Sequence, residues 1–189
     1  MKIAIIGSRN MIPERIEEYV TDDIDIKTKL SEFVSKADAN KVRLYQDNRI
    51  TLTQLYGLTS KLEEVTKKHV WLKSGAYLVI EPTEAMTVID VNSGKNLKKT
   101  DNENLYFDVN LEAAEEIARQ IRLRDMGGIV IVDFIDMESN EHRNALYKKM
   151  TELMESDRAK HNVLPLTKFG LMQITRQRVR PATEINTQE

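Results

Sequence analysis

The run Ile129 to Ile135, IVIVDFI, limits the possible folds of this chain more than any other segment, being apolar throughout except for Asp133. A nearly continuous, β-branched stretch of this length suits a central strand covered on both faces, since an exposed strand would alternate with polar residues. Such a strand needs neighbours and covering helices, and the flanking sequence offers both. On its N-terminal side, Leu111, Ala114, Ile117, Ala118 and Ile121 recur at helical spacing, with Asp108 or Asn110 able to cap the start and Gly127 the left-handed stop. On its C-terminal side, Ser139 to His161 reads as a second long helix with Leu146, Met150, Leu153 and Met154 on its core face. Ala76 to Ile80 and Ala85 to Val91, joined through Pro82 to Glu84, predict an antiparallel hairpin. Val163 to Leu166 and Leu171 to Arg176 supply two more extended pieces, and the polar stretch Asn92 to Asp108 predicts a long loop carrying Lys95, Lys98 and Lys99.

The N-terminal third is patterned differently. Met1 to Asn10 (MKIAIIGSRN) is a short apolar run ending in Gly-Ser, readable as an ordinary buried strand and turn or as the phosphate-side turn of a nucleotide-binding α/β unit. Pro13 and Glu14 suit the first turn of a helix through Val20, and Ile24 to Lys36 predicts a second. Lys41 to Tyr45 alternates as a strand, while Leu55, Leu58, Leu62 and Val65 predict one helix over Leu52 to Lys68. Val70 to Leu72 is extended and Gly75 a turn. The expected organisation is an α/β segment over 1–72, an α/β domain with a mixed sheet and flanking helices over 73–181, and a polar tail over 182–189.

Within 189 residues, 41% hydrophobic content supports a packed core, and 28 Lys and Arg against 30 Asp and Glu leave a formal charge of −2. Any anion-binding surface must therefore arise from local clustering. The absence of cysteine excludes disulfides and thiolate metal sites, and no apolar run approaches the roughly 18 residues of a membrane span. A cytoplasmic protein with no membrane contact is expected.

Two strands end in similar chemistry. VIDVNSG places Asp90 and Asn92 two residues apart, hence on one side of a strand, and Asp133 sits in the apolar run. A carboxylate inside such a strand needs compensation, which a hard divalent cation held by carboxylate and amide oxygens provides. On spacing alone, a strand Asp is more often a hydrogen-bonded turn or ladder partner. Asp136 reads either as a support for that site or as a cap for the next helix, and Arg119, Arg122 and Arg124 as helix-end charges or anion contacts. Lys168, Phe169, Arg176 and Arg178 lie in a segment free of acids up to Pro181. This is either a phosphate-tracking strip with a stacking ring or a charged edge strand with a core Phe.

The runs EPTEAMTVIDVNSGKN, NLEAAEEIARQIRLRDMGGIVIVDFIDM and DRAKHNVLPLTKFGLMQITRQRVRP closely resemble the catalytic region of the ribonuclease E/G family of bacterial endoribonucleases. The resemblance spans about Val70 to Pro181, with Thr21 to Leu72 similar to the end of the family's ribonuclease-H-like part; Met1 to Val20 resembles nothing placed in it. It implies a DNase-I-like subdomain in which Asp90, Asn92 and Asp133 hold Mg2+, with Asp90 and Asp133 catalytic. It further implies magnesium-dependent hydrolysis of single-stranded RNA leaving a 5′-phosphate, in RNA processing or decay. Lys95, Lys168, Phe169, Arg176 and Arg178 are then candidate RNA contacts. Counterparts of the family's oligonucleotide-binding barrel and 5′-monophosphate pocket are not found, and without cysteine its zinc-linked dimer cannot form, whatever other homo-oligomer exists. The chain thus looks like a truncated catalytic region, active or serving as a silent RNA-binding or assembly fragment.

Overall fold

The computed structural model describes residues 17–47, 49–94 and 103–178, with the backbone alone at 61, 62 and 64. The chain divides into two compact units between Glu64 and Val65. The helix over Pro13 to Val20 lies mostly outside the described residues, but its end is not helical: β1 (Tyr19–Thr21) pairs in parallel with β2 (Val42–Leu44). Between them, α1 (Ile24–Phe33) starts at Asp23, whose carboxylate accepts from the Asp25 and Ile26 amides at 2.8 and 3.3 Å. The single helix expected over Leu52 to Lys68 is two, α2 (Leu52–Leu55) and α3 (Leu58–Thr66), broken at Gly57, which has φ 58°. A capping box between Thr51 and Gln54 starts the first of them.

The second unit is a six-stranded mixed sheet in the order β3-β4-β5-β6-β8-β7, flanked by two long helices. Its strands are β3 (His69–Trp71), β4 (Tyr77–Pro82), β5 (Met86–Asn92), β6 (Gly128–Asp133), β7 (His161–Val163) and β8 (Leu171–Arg176). β4 and β5 form the expected hairpin, and β5 and β6 run parallel, joined by the crossover helix α4 (Glu103–Leu123). Parallel neighbours need such a crossover because no tight turn can link them. α5 (Asn140–Glu155) follows β6, with Ser139 as its N-cap.

One face of the sheet makes the core. Leu78, Ile80, Ile89, Val91, Val130, Val132, Met172 and Ile174 turn inward in register and pack on Val109, Ala113, Ile117 and Ile121 of α4 and Leu146, Met150 and Met154 of α5. Each buried aliphatic side chain of this kind contributes roughly 1.5–3 kcal/mol relative to exposure. β6 is central as expected, but both helices belong to this one core. On the opposite face Ile131 is half-buried and Ile129 exposed, so the expected double covering is not what the structure has.

α4 begins earlier than expected, so Asp108 and Asn110 lie inside it and cap nothing. Its C-terminus closes at Asp125, not Gly127: Asp125 has φ 49°, its amide donates to the Arg122 carbonyl and the Met126 amide to the Ile121 carbonyl. This is a Schellman closure with aspartate in the left-handed position. Among the described residues, no helix is long and apolar enough to cross a membrane.

Candidate functional site

Asp90 and Asp133 are register partners in the last rung of the parallel β5–β6 pair. Opposed residues on adjacent strands share a sheet face, with the strands about 4.8 Å apart. Because Ile89, Val91 and Val132 turn into the core, both carboxylates stand on the face away from the helices. Asn92, two residues along, shares that face, and its Nδ2 donates to Asp90 Oδ2 at 2.6 Å. The structure therefore brings the three predicted ligands together at the C-terminal edge of the parallel pair.

It also corrects the reason for expecting a cation. Asp90 and Asp133 are exposed side chains at a strand edge, not carboxylates sealed in a core. What distinguishes the place is partial desolvation combined with like charge. Partial desolvation, then the charges of Asp90 and of Asp136, push the Asp133 carboxyl above its ordinary range. Among the described residues, no Lys, Arg or His forms an ion pair with Asp90 or Asp133. No three His, Asp or Glu side chains among them gather as a metal-binding group. The donors available are thus two carboxylates and an amide oxygen, all hard oxygen donors that could hold a divalent cation. That is the composition magnesium favours, since it takes one or two carboxylates and keeps several waters.

Three features hold this edge, and none was assigned to it in the sequence, where Asn110 is read only as a possible helix cap. Asn110, fully buried on α4, donates from Nδ2 to the Ile135 carbonyl at 2.8 Å and accepts the Ile135 amide on Oδ1 at 3.0 Å. Both bonds clamp the backbone between Asp133 and Asp136. Glu103 accepts the Ser139 amide at 2.7 Å and lies 3.2 Å from His142 Nδ1, whose ring stacks on Phe107 with centroids 4.4 Å apart. Gly94, the glycine of VIDVNSG, has φ 69°, and a Cβ there would lie 2.6 Å from the Gly75 carbonyl oxygen. Only glycine allows that approach. A signal for Asn110 was present: it is spaced with Ala114, Ile117 and Ile121, so it sits on the apolar stripe of its helix.

Asp136 does not cap α5, a role taken by Ser139, and instead adds to the charge at Asp133. The Arg side chains of α4 and of the residue after it are engaged within the protein: Arg119 with Glu116, Arg122 with the Leu153 carbonyl, Arg124 with Gln120 and the Lys67 carbonyl.

The expected basic strip is not one surface. Lys95 lies outside the described residues. Lys168 and Phe169 occupy the turn before β8, next to Leu171, the register partner of Asp133. Arg178 follows the far end of β8, with its Cγ against Gly127. Since Gly128 pairs with Arg176 and Asp133 with Leu171, the two ends are separated by a strand length, about 17 Å. Arg176 cannot track phosphates: its side chain is 3% exposed and its guanidinium is committed to Asp157 at 2.7 Å and Asp125 at 2.8 Å. It shares the face of Met172 and Ile174 and so points into the protein. Burial opposes ionisation of Asp157, but hydrogen bonds from Arg176 and the Ala159 amide outweigh it and hold the carboxyl below its ordinary range.

A family model described as "Ribonuclease E/G family" matches residues 2–179. The match reaches back through the opening stretch that the sequence reading could not place. Ribonuclease G of Haemophilus influenzae is 39% identical over 160 residues, 85% of this chain and 32% of that protein. Ribonuclease E of Escherichia coli is 41% identical over 144 residues, 76% of this chain and 14% of that protein. The ribonuclease E/G-like chloroplastic protein of Arabidopsis thaliana is 45% identical over 145 residues, again 76% and 14% of the two chains. The chain spans about a third or less of the length of these relatives. With the family model running from residue 2 to residue 179 of a chain whose paired acids are held as described, the chain belongs to the ribonuclease E/G family.

Proposed function

We propose that this chain is the catalytic region of an endoribonuclease that hydrolyses phosphodiesters of single-stranded RNA, in cytoplasmic RNA processing or decay, and leaves a 5′-phosphate. The observation that carries the reading is the in-register pair Asp90 and Asp133, with Asn92 bonded to Asp90 and no cationic partner for either acid among the described residues. In this reading Asp90, Asp133 and the Asn92 amide oxygen hold Mg2+. When bound, magnesium supplies positive charge that polarises the phosphodiester and acidifies water.

The protein's own residues do the rest. The two carboxylates, crowded until a cation joins them, fix where positive charge enters the site. The Asn92 amide N–H holds one Asp90 oxygen, leaving the second carboxylate oxygen and the Asn92 carbonyl oxygen as donors. Asn110 keeps Asp133 and Asp136 at fixed spacing by gripping the backbone between them. Preorganised charge of this kind lowers a barrier because it needs no rearrangement during reaction.

The test is cleavage of a single-stranded oligoribonucleotide with and without Mg2+, together with Mn2+ binding followed by electron paramagnetic resonance. Wild-type chain should cut only with metal and bind Mn2+, and Asp90→Asn and Asp133→Asn should lose both. Equal cutting by those variants rejects the assignment. RNA binding that weakens with salt but never leads to cutting would favour the alternative of a silent RNA-binding or assembly fragment.

A further inference from the structure

We infer that the turn Thr167–Gly170 is a base-stacking platform, on which the Phe169 ring seats the base of an RNA nucleotide beside the phosphate to be cleaved and Lys168 pairs with a flanking phosphate. This rests on the proposed endoribonuclease function and adds to it a subsite that sets where the strand lies.

Phe169 is 82% exposed at the tip of a turn, so its ring face is open to a partner. The turn beneath it is rigid. Thr167 and Leu171 close it through the Thr167 amide to the Leu171 carbonyl at 2.8 Å and the Leu171 amide to Thr167 Oγ1 at 3.2 Å. The Gly170 amide bonds the Thr167 carbonyl, which Arg143 of α5 also grips through Nη2. Gly170 is buried with φ 76°, and a Cβ on it would lie 3.2 Å from Asp136 Oδ1 and 3.4 Å from the Phe134 carbonyl oxygen. The platform is therefore wedged against the loop that follows Asp133. Leu171, the next residue, is the register partner of Asp133 itself.

A ring held this close to a phosphodiester-cleaving edge matches the chemistry of a nucleobase. Stacking is tolerant of sequence because every base has a π-face, and an adjacent lysine suits the backbone charge. Phe33, 87% exposed at the last residue of α1, is a built-in comparison: it is as exposed, but it belongs to the first unit and to a helix, not to this turn.

The experiment uses a set of single-stranded oligoribonucleotides, each with one 2-aminopurine at a different distance from the cleaved bond, bound by the full chain in EDTA so that nothing is cut. We expect fluorescence quenching at one position next to that bond. In Phe169→Ala quenching should disappear and affinity fall about 5- to 100-fold. It should be retained in Phe169→Trp and unchanged in Phe33→Ala, with circular dichroism matching wild type throughout. Absence of quenching in wild-type chain, or quenching in Phe169→Ala equal to wild type, overturns the platform. If Phe169-dependent quenching is present but Mg2+ never produces cleavage, the platform stands as an RNA subsite and the nuclease reading fails. Cleavage with an unaltered KM and unaltered quenching in Phe169→Ala leaves the nuclease reading standing and removes the platform.

Discussion

Two groups of paired acids lie at opposite ends of the same two strands, β6 and β8, and they are handled in opposite ways. At one end Asp125 and Asp157 share the guanidinium of Arg176, and the Asp157 side chain is 1% exposed. At the other, Asp90 and Asp133 are exposed, in register, and without an ion-pair partner among the described residues. The carboxyl of Asp157 is held below its ordinary range and that of Asp133 is pushed above it. The same residue type thus serves two purposes: where the protein provides the cation the acids are structural, and where it does not, the proposed function has them take one from outside.

The sharpest way to break this contrast is to remove the internal cation. Arg176→Met should cost about 3–5 kcal/mol in urea denaturation, because it strands the buried Asp157 charge. Adding Asp157→Leu should recover most of that. If Arg176→Met unfolds as wild type does, the structural half of the comparison fails.

At the other end, removing an acid should spare the fold and remove function. Asp133→Asn is expected to lower cleavage by about 10²–10³-fold, as for loss of a preorganised electrostatic contact, with an unchanged or slightly higher urea midpoint in metal-free buffer. A large loss of stability would mean that Asp133 is a structural acid like Asp157.

Asn110→Ala removes two hydrogen bonds and leaves the Ile135 backbone groups unpaired, at about 1–3 kcal/mol. Since the clamp lies between Asp133 and Asp136, Mn2+ affinity should fall too, by about 10-fold. Wild-type affinity in a folded Asn110→Ala chain would confine the residue to stability.

The smallest effect is in pH dependence, where the two ends should slope in opposite directions. Asp157 has a lowered folded pKa, so its contribution is present above the ordinary value near ~3.9 and is lost as pH falls through the folded one. Asp133 has a raised folded pKa, so the folded chain retains its proton longer. Its contribution is greatest at low pH and declines as pH rises from the ordinary value through the raised one. Metal-free stability curves for wild type, Asp157→Asn and Asp133→Asn should differ with opposite signs. Parallel curves for the two variants would contradict the assignment.

The sequence already contained much of this. The D-x-N spacing put Asp90 and Asn92 on one side of a strand, and the apolar run marked β6 as central. Period two also places Arg176 on the side of Met172 and Ile174, which neither the phosphate-tracking strip nor the charged edge strand takes into account. Other features depend on pairing, which one sequence does not reveal. Opposition of Asp90 to Asp133 is set by register between strands whose paired residues are 43 apart, and the covering of only one sheet face depends on where α4 and α5 pack. The early start of α4 was hidden because the consecutive Leu105, Tyr106 and Phe107 do not by themselves show helical spacing, and the bond from Glu103 to the Ser139 amide joins residues 36 apart.

β5 and β6 are the single parallel pair in the described six-stranded sheet, and α4 lies between them in the chain. Asp90 and Asp133 meet only when the parallel pair forms, and that pairing must first close the long connection that contains α4, an entropic cost that local hairpins do not carry. In kinetic terms the proposed ligand pair depends on the slow, long-range part of folding. A nascent or partly unfolded chain has both acids and no site, and a cation that binds the finished pair shifts the population toward the folded chain by mass action. Metal capture would then report completed folding, and the chain would carry no cleavage-competent centre until its sheet was assembled.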